Sequence, residues 1–301
     1  MREPPTHVSD DQVLAVVRRE WDGAVNRVEH LPIGFGAHHW AATRDGEPRL
    51  FVTLDRMTVA RPAGTFEAAY AAAADLARSG LDFVHAGLAA LTGRWTVAVD
   101  DTSVLSVTPW LDGTRPPLDG ADPETLAMVS ALRSAEPPAM LRRWRTVVPR
   151  TCAQDLSRRL AAPWDRGPHG EEAREAVLDR HDAVQAWIHE HVDLVTTAME
   201  HVDDWVVTHG EPMAHNQLLT SSGRLLVDWE SALLAPGERD TRDLFAAGVD
   251  LGSDPAMVRL FDLEWRLAEV DQYSTWFASP HTGTESDRVA LDGLREELAR
   301  A

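Results

Sequence analysis

The sequence predicts an α+β chain of two lobes: a small β-rich N-terminal lobe over residues 1–107 and a larger, mainly α C-terminal lobe over residues 108–301. Three observations predict it. Residues 28–55 read as strands joined by turns, with Gly34, Gly36 and Asp45-Gly46 as breakers. Beyond Gly113, Pro116 and Pro117, apolar residues recur mainly at helical spacing. Within that helical half, residues 205–229 return to short strands around a tight turn.

The elements follow in order. A short helix is expected over 10–21, ahead of the strands. Residues 64–79 (GTFEAAYAAAADLARS) are strong helix formers, with Gly80 placed as a C-terminal cap. Two more strands, 95–99 and 103–107, would close an antiparallel sheet with the first ones. The stretch 110–118 (WLDGTRPPL) ends the first lobe. Helical spacing then marks 124–133, 171–200, 254–277 and 288–299. Trp187, Trp265 and Trp276 are expected in the packing, and His181, His189 and His191 on a solvated acidic face.

Composition narrows the chemistry. A chain of 301 residues with 44% hydrophobic content is long enough to bury a large core. No apolar run reaches membrane-spanning length, and the opening MREPPTHVSDDQ is no targeting signal, so the cytoplasm is the expected location and no membrane partner is expected. Cys152 is the single cysteine, which excludes an internal disulfide and a thiolate cluster and reads as a buried, inert thiol. A formal charge of -19 opposes nucleic acid and favours cationic ligands. All 29 basic residues are arginine. With no lysine, P-loop and Schiff-base chemistry are both excluded.

The run 205–243 (WVVTHGEPMAHNQLLTSSGRLLVDWESALLAPGERDTRD) carries the most information. Ser221-Ser222-Gly223 suits a three-residue hairpin loop. Thr220 would then oppose Arg224, Leu218 would oppose Leu226, and Asn216 would oppose Asp228 on the same face. A carboxamide and a carboxylate so placed offer hard oxygen ligands to Mg²⁺, above an apolar floor. Glu211, in the loop before, would accept a proton from an attacking hydroxyl.

His209-Gly210-Glu211, Asn216 and Asp228-Trp229-Glu230 together resemble the H-G-D-x-x-x-x-N and D-W-[DE] motifs of the aminoglycoside phosphotransferase and choline kinase family. Residues 235–240 (APGERD) resemble the stretch that follows in spectinomycin-phosphotransferase-like members. Gly34-Phe35-Gly36 resembles their glycine loop, and 107–113 (VTPWLDG) their interlobe hinge. The resemblance implies a protein-kinase-like two-lobed fold, with residues 1–107 as the nucleotide-binding lobe and 108–301 as hinge and catalytic lobe. It implies transfer of the γ-phosphoryl of ATP or GTP to a hydroxyl of a small molecule, with a cationic aminoglycoside or aminocyclitol antibiotic among the acceptors, and another hydroxyl acceptor such as a peptide serine or threonine as the alternative. Glu211 takes the catalytic-base position, His209 braces its loop, and Asn216 and Asp228 hold Mg²⁺. Leu218 lies under the purine, and the Thr108–Trp110 backbone meets its edge. Gly34 and Gly36 wrap the phosphates.

Two positions depart from the family pattern. Glutamate stands at 211 where aspartate is usual, and the phosphate-binding lysine is replaced by Thr53 in LFVTL. A substitute cation is expected from His38, His39, Arg44, Arg49 or Arg56, with Arg56 and the histidine pair first, and Glu67 as its acidic partner. Two other classes stay open: a kinase-like binding or scaffolding protein without catalysis, and a hydrolase using His209, Glu211, His215 and Asp228 as transition-metal ligands. Asp240 and Asp243 are expected to brace the catalytic loop.

Overall fold

The computed structural model describes residues 2–34, 36–58, 61–117 and 122–300. Phe35 of the glycine loop and Leu118 at the end of the hinge stretch lie outside the described residues. The chain divides into two compact units, Met1–Trp144 with Trp205–Leu251, and Arg145–Asp204 with Gly252–Ala301.

The first unit begins with α1 (Asp10–Glu20), where Ser9 and Gln12 form a reciprocal capping box. Strands β1 (Arg27–Leu31), β2 (His38–Arg44), β3 (Glu47–Arg56), β4 (Val97–Ala98) and β5 (Ser103–Pro109) make an antiparallel sheet in the order β1-β2-β3-β5-β4. Asp45 and Gly46 both have positive φ in the β2–β3 turn, as the Asp-Gly pair anticipates. Alternation along β3 sends Val52 and Leu54 into a core with Val13, Val16 and Val17 of α1. Phe51, Thr53 and Asp55 therefore take the opposite face.

Helix α2 (Ala63–Arg78) presents Ala69, Ala72 and Ala73 to the same core as Trp229 and Ala232. Side chains this small let a helix approach the DWE turn closely. Helix α3 (Pro123–Ser134), capped by Asp122, adds Met128 and Leu132 to that core. Strand β6 (Val206–Thr208) pairs with β9 (Leu233–Ala235), and β7 (Gln217–Thr220) with β8 (Gly223–Leu226). Helix α7 (Glu238–Ala246) closes the unit. The second unit is helical: α4 (Cys152–Leu160), α5 (Gly170–Asp179), α6 (His181–Met199), α8 (Pro255–Phe277) and α9 (Glu285–Ala299). Its core joins Leu156, Trp164, Trp187, Leu267, Phe277 and Leu294. Among the described residues no helix is long and apolar enough to cross a membrane.

Several local expectations need correction. The expected helix over 171–200 is two helices that meet at Arg180. His189 is exposed, but His191 is buried, with Nε2 3.2 Å from Thr146 Oγ1 and 3.6 Å from Glu264. Its helical position points inward, which the local acidity did not reveal. Cys152 is buried and its thiol is pushed up to about 11, chiefly by desolvation, as an inert thiol should be.

The hairpin register also differs. Thr220 opposes Gly223, Leu219 opposes Arg224 and Leu218 opposes Leu225, so the loop is two residues, Ser221 and Ser222. Gly223, with φ +125°, is the first strand residue instead of the last loop residue. The shift removes the expected pairing of Asn216 with Asp228. Asn216 meets Val227 instead, whose N–H donates to the Asn216 carbonyl at 2.9 Å.

Candidate active site

The catalytic loop leaves β6 and is fixed through its backbone. Asp240, at the start of α7, accepts the N–H of His209 at 2.7 Å and that of Gly210 at 2.6 Å. Burial pushes its pKa up, and those two donors, with Arg239 and His209, act against that rise. Arg239 donates to Thr208 Oγ1 and to the Ser231 carbonyl, tying β6 to the DWE turn. Gly210 has φ +108°, and a Cβ there would stand 2.8 Å from Ser231 Oγ. Only glycine fits that backbone and that gap.

His209 is fully buried. Its Nδ1 accepts the Glu211 N–H at 3.2 Å, and its Nε2 lies 2.9 Å from the Val227 carbonyl, so these partners assign the proton to Nε2. The ring meets the Trp229 ring edge-on at 4.7 Å. Desolvation lowers its pKa and keeps it neutral. Both nitrogens are committed to the loop, which removes His209 as a metal ligand.

Glu211 is partly exposed, with Oε2 3.2 Å from His215 Nε2. Desolvation alone would raise its pKa, but the His215 bond and the charge of Arg242 outweigh it, and the net shift is downward. The carboxylate is therefore ionised near neutrality. Asn216 is buried and donates Nδ2 to the Glu211 carbonyl at 3.0 Å, leaving Oδ1 for another partner. Asp228 holds a left-handed backbone, φ 71° and ψ 58°, with Glu230, Asp55 and Glu211 close to its carboxyl. Trp229, buried beside it, donates Nε1 to the Leu226 carbonyl.

Desolvation, then Glu230, then Asp55 and Glu211, raise the Asp228 pKa well above the carboxylate range. Glu230 Oε2 is buried with no hydrogen-bond partner. The Asp228 and Glu230 carboxyls, one of them with a buried oxygen that no described residue bonds, are hard oxygen donors of the kind Mg²⁺ takes. Among the described residues no group of three or more His, Cys, Asp or Glu is arranged to hold a metal ion. A cation here would take few protein ligands and complete its shell with water or phosphate oxygens, as Mg²⁺ commonly does.

The small-lobe residues are more dispersed. Gly34 and Gly36, φ +72° and +100°, flank the bend between β1 and β2, and a Cβ on Gly34 would lie 3.1 Å from His39 Nε2. His39 stacks on Phe51 at 5.0 Å and its Nδ1 is 3.2 Å from Thr53 Oγ1, so it occupies the place where the lysine is missing. Desolvation pushes its pKa down to about 3. His38 turns to the other face, against His30 and Trp40, and is pushed down to about 4, again chiefly by desolvation. Neither is a cation at neutral pH. Arg56 falls on the α1 side of β3 with Val52 and Leu54, because residues two apart share a face.

Glu67 is not a cation's partner from the β3 strand. Its carboxylate takes the N–H groups of Trp95 and Thr96, the Thr96 hydroxyl and Arg94. At the hinge, Trp110 N–H already donates to the Arg49 carbonyl, Thr108 pairs with Phe51, and the Pro109 carbonyl lies 3.0 Å from His85 Nε2. Thr114 then pairs with Leu219, which brings the hinge onto β7. Leu218 faces Leu225 on the hairpin, so an apolar pair does form there, one register step from its expected place.

Sequence reasoning missed Asp55, Tyr70 and Arg61. Asp55 is buried on the inner face of β3, bonded by the Tyr70 hydroxyl at 3.2 Å and pushed up to about 7, first by desolvation and then by Glu230. Arg61 Nη2 donates to the Glu230 carbonyl at 3.2 Å and reaches Glu230 Oε1 at 3.5 Å. The alternation that places Asp55 beside Thr53 was a readable signal. Arg61 follows β3 in an irregular segment, where sequence periodicity says nothing.

No protein-family model matches the sequence. Among curated proteins, the chain is 31% identical to protein StrN of Streptomyces griseus over 258 residues, 79% of this chain and 77% of that protein. Among solved structures, spectinomycin phosphotransferase APH(9)-Ia in complex with ADP and spectinomycin superposes with a TM-score of 0.72 at 13% identity, over 97% of this chain and 95% of the other. Amicoumacin kinase hAmiN, in complex with AMP-PNP, Ca²⁺ and Ami, gives 0.55 at 12% identity, over 97% and 93%. The resemblance carried by HGE, Asn216 and DWE is thereby shown: the chain belongs to the family of StrN and has the kinase-like fold of the aminoglycoside phosphotransferases.

Proposed function

We propose that this protein is a small-molecule phosphotransferase that moves the γ-phosphoryl of ATP or GTP to an acceptor hydroxyl, with a cationic aminoglycoside or aminocyclitol as the acceptor class. The observation that supports the reading is the braced loop: Asp240 accepts the His209 and Gly210 N–H groups, Arg239 ties β6 to the DWE turn, and Asn216 donates to the Glu211 carbonyl. The excess of acidic residues favours a cationic acceptor.

In this reading Asn216 and Asp228 would hold Mg²⁺, which would supply positive charge to the triphosphate. Glu211 orients the acceptor hydroxyl and receives its proton as the phosphorus–oxygen bond forms. Its lowered pKa makes it a weak base, which suits a loose transition state in which the hydroxyl loses its proton late. His215 holds one Glu211 oxygen and leaves the other for the acceptor. His209 and Asp240 position and take no part in proton transfer.

The test is an acceptor panel with ATP and GTP in Mg²⁺, read by the mass gain of one phosphoryl group. Glu211→Gln should lower turnover roughly 10²-fold with nucleotide affinity unchanged. No product with any hydroxyl acceptor, despite measurable Mg²⁺-nucleotide binding, would turn the reading towards a binding protein. Full turnover in Glu211→Gln would remove that side chain from the chemistry.

A further inference from the structure

We propose that Arg61 binds the nucleotide phosphates in place of the missing lysine, an inference that rests on the phosphotransferase reading above. The lysine position, Thr53, is buried and bonded to His39, a neutral ring stacked on Phe51. Arg56 lies on the opposite face of β3. Arg49 stands six residues before Asp55 on the same strand, about 20 Å away along it. Arg44 ends β2, with its side chain beside Asp45. None of these brings positive charge to Asp228 and Glu230.

Arg61 does. It enters from the segment between β3 and α2, and one nitrogen, Nη2, is held by the Glu230 carbonyl and carboxylate. Its guanidinium lies over the Phe66 ring at 4.7 Å, which fixes the plane of the group. Among the described residues Nε and Nη1 take no partner, and the side chain is 37% exposed, so donors remain for a ligand. Glu230, which Arg61 holds, and Asp228 two residues before it are acidic side chains that a triphosphate would meet with repulsion unless cations stand beside them. A cation on Asp228 and the guanidinium on Glu230 offset that repulsion from two sides. Arginine is always charged and binds phosphate bidentately, so lysine can be absent from the whole chain without loss of phosphate recognition.

The experiment measures binding of ATP, ADP and adenosine in Mg²⁺ to the full chain, by calorimetry, for the wild type, Arg61→Gln and Arg61→Ala, with the exposed Arg78→Gln on α2 as control. Glutamine retains a donor for the Glu230 carbonyl, so it serves even where alanine loosens the fold. Arg61→Gln should weaken ATP at least tenfold and ADP less, while adenosine binds as in the wild type and Arg78→Gln changes nothing. Wild-type ATP affinity in Arg61→Gln overturns the assignment. Equal weakening of ATP and adenosine also overturns it, because a residue that only held Glu230 in place would act on both. A wild type that binds neither ATP nor GTP overturns the phosphotransferase reading itself, and the assignment with it.

Discussion

Asp228 adopts a left-handed backbone, which costs a non-glycine residue on the order of 1–3 kcal/mol unless its surroundings enforce it. Trp229 packed under α2 and its indole bond to Leu226 supply that enforcement, and they aim a carboxylate at Glu230 in spite of repulsion. His39 shows the opposite economy, a ring kept neutral by desolvation between Phe51 and Thr53. Its folded pKa, about 3, lies below the unfolded value of about 6.5. Below pH 6.5 the unfolded chain takes up a proton that the folded chain refuses, so stability falls as pH drops towards 3 and is unaffected above 6.5. His39→Gln should therefore flatten the loss of stability between pH 6 and pH 4 by up to about 1.4 kcal/mol per pH unit, measured by urea titration at each pH. An unchanged slope would place the acid sensitivity elsewhere, with His38 the next residue to test. At this scale the motif residues were legible because HGE, Asn216 and DWE lie within one short run. Arg61 and the His39–Thr53 contact were not, since each depends on how separate segments meet.

Among elements, the hinge and the hairpin are joined by a contact that leaves no space. A Cβ on Gly113 would stand 2.8 Å from the Leu219 carbonyl and 3.3 Å from Thr220 Cγ2, although Thr114 must exchange hydrogen bonds with Leu219 at 2.7 and 3.1 Å. Gly113→Val should separate the two elements, costing roughly 1–3 kcal/mol of stability and weakening nucleotide binding, as read by thermal melts and calorimetry. A variant as stable as the wild type would mean that the hinge yields without cost. Most elements were legible: α2, α3 and α8 fall within a residue of their expected bounds, because strong helix formers or apolar residues at helical spacing mark them. Register was harder. Ser221-Ser222-Gly223 suits a two- or a three-residue loop, and partners outside the hairpin, Thr114 on β7 and Phe83 and His85 beside β8, accompany the observed choice. Glu67 failed for a related reason, since the N–H groups it satisfies, of Trp95 and Thr96, lie far along the chain.

Over the whole molecule, the α+β class and the kinase-like fold were legible from the switch in periodicity and from the ordered motifs. The division of the chain was less so. The catalytic segment Trp205–Leu251 belongs with the N-terminal sheet, because Val207, Leu226, Trp229 and Ala232 complete a core begun by Phe66, Leu76, Val84 and Leu132. A chain emerging from the ribosome therefore finishes its sheet long before the residues that cover α2 and α3 exist. Residues 145–204, about 60 of them, must be made in the interval, and closing a loop of that length costs on the order of 4 kcal/mol. A fragment of residues 1–144 should accordingly bind a hydrophobic dye and precipitate, and co-expression of residues 205–251 should restore solubility. A soluble, dye-silent fragment would show that the sheet and its helices suffice alone. The shared core thus sets an order of birth: the half of the unit that carries the glycine loop waits, unsealed and in need of protection, for the half that carries the chemistry.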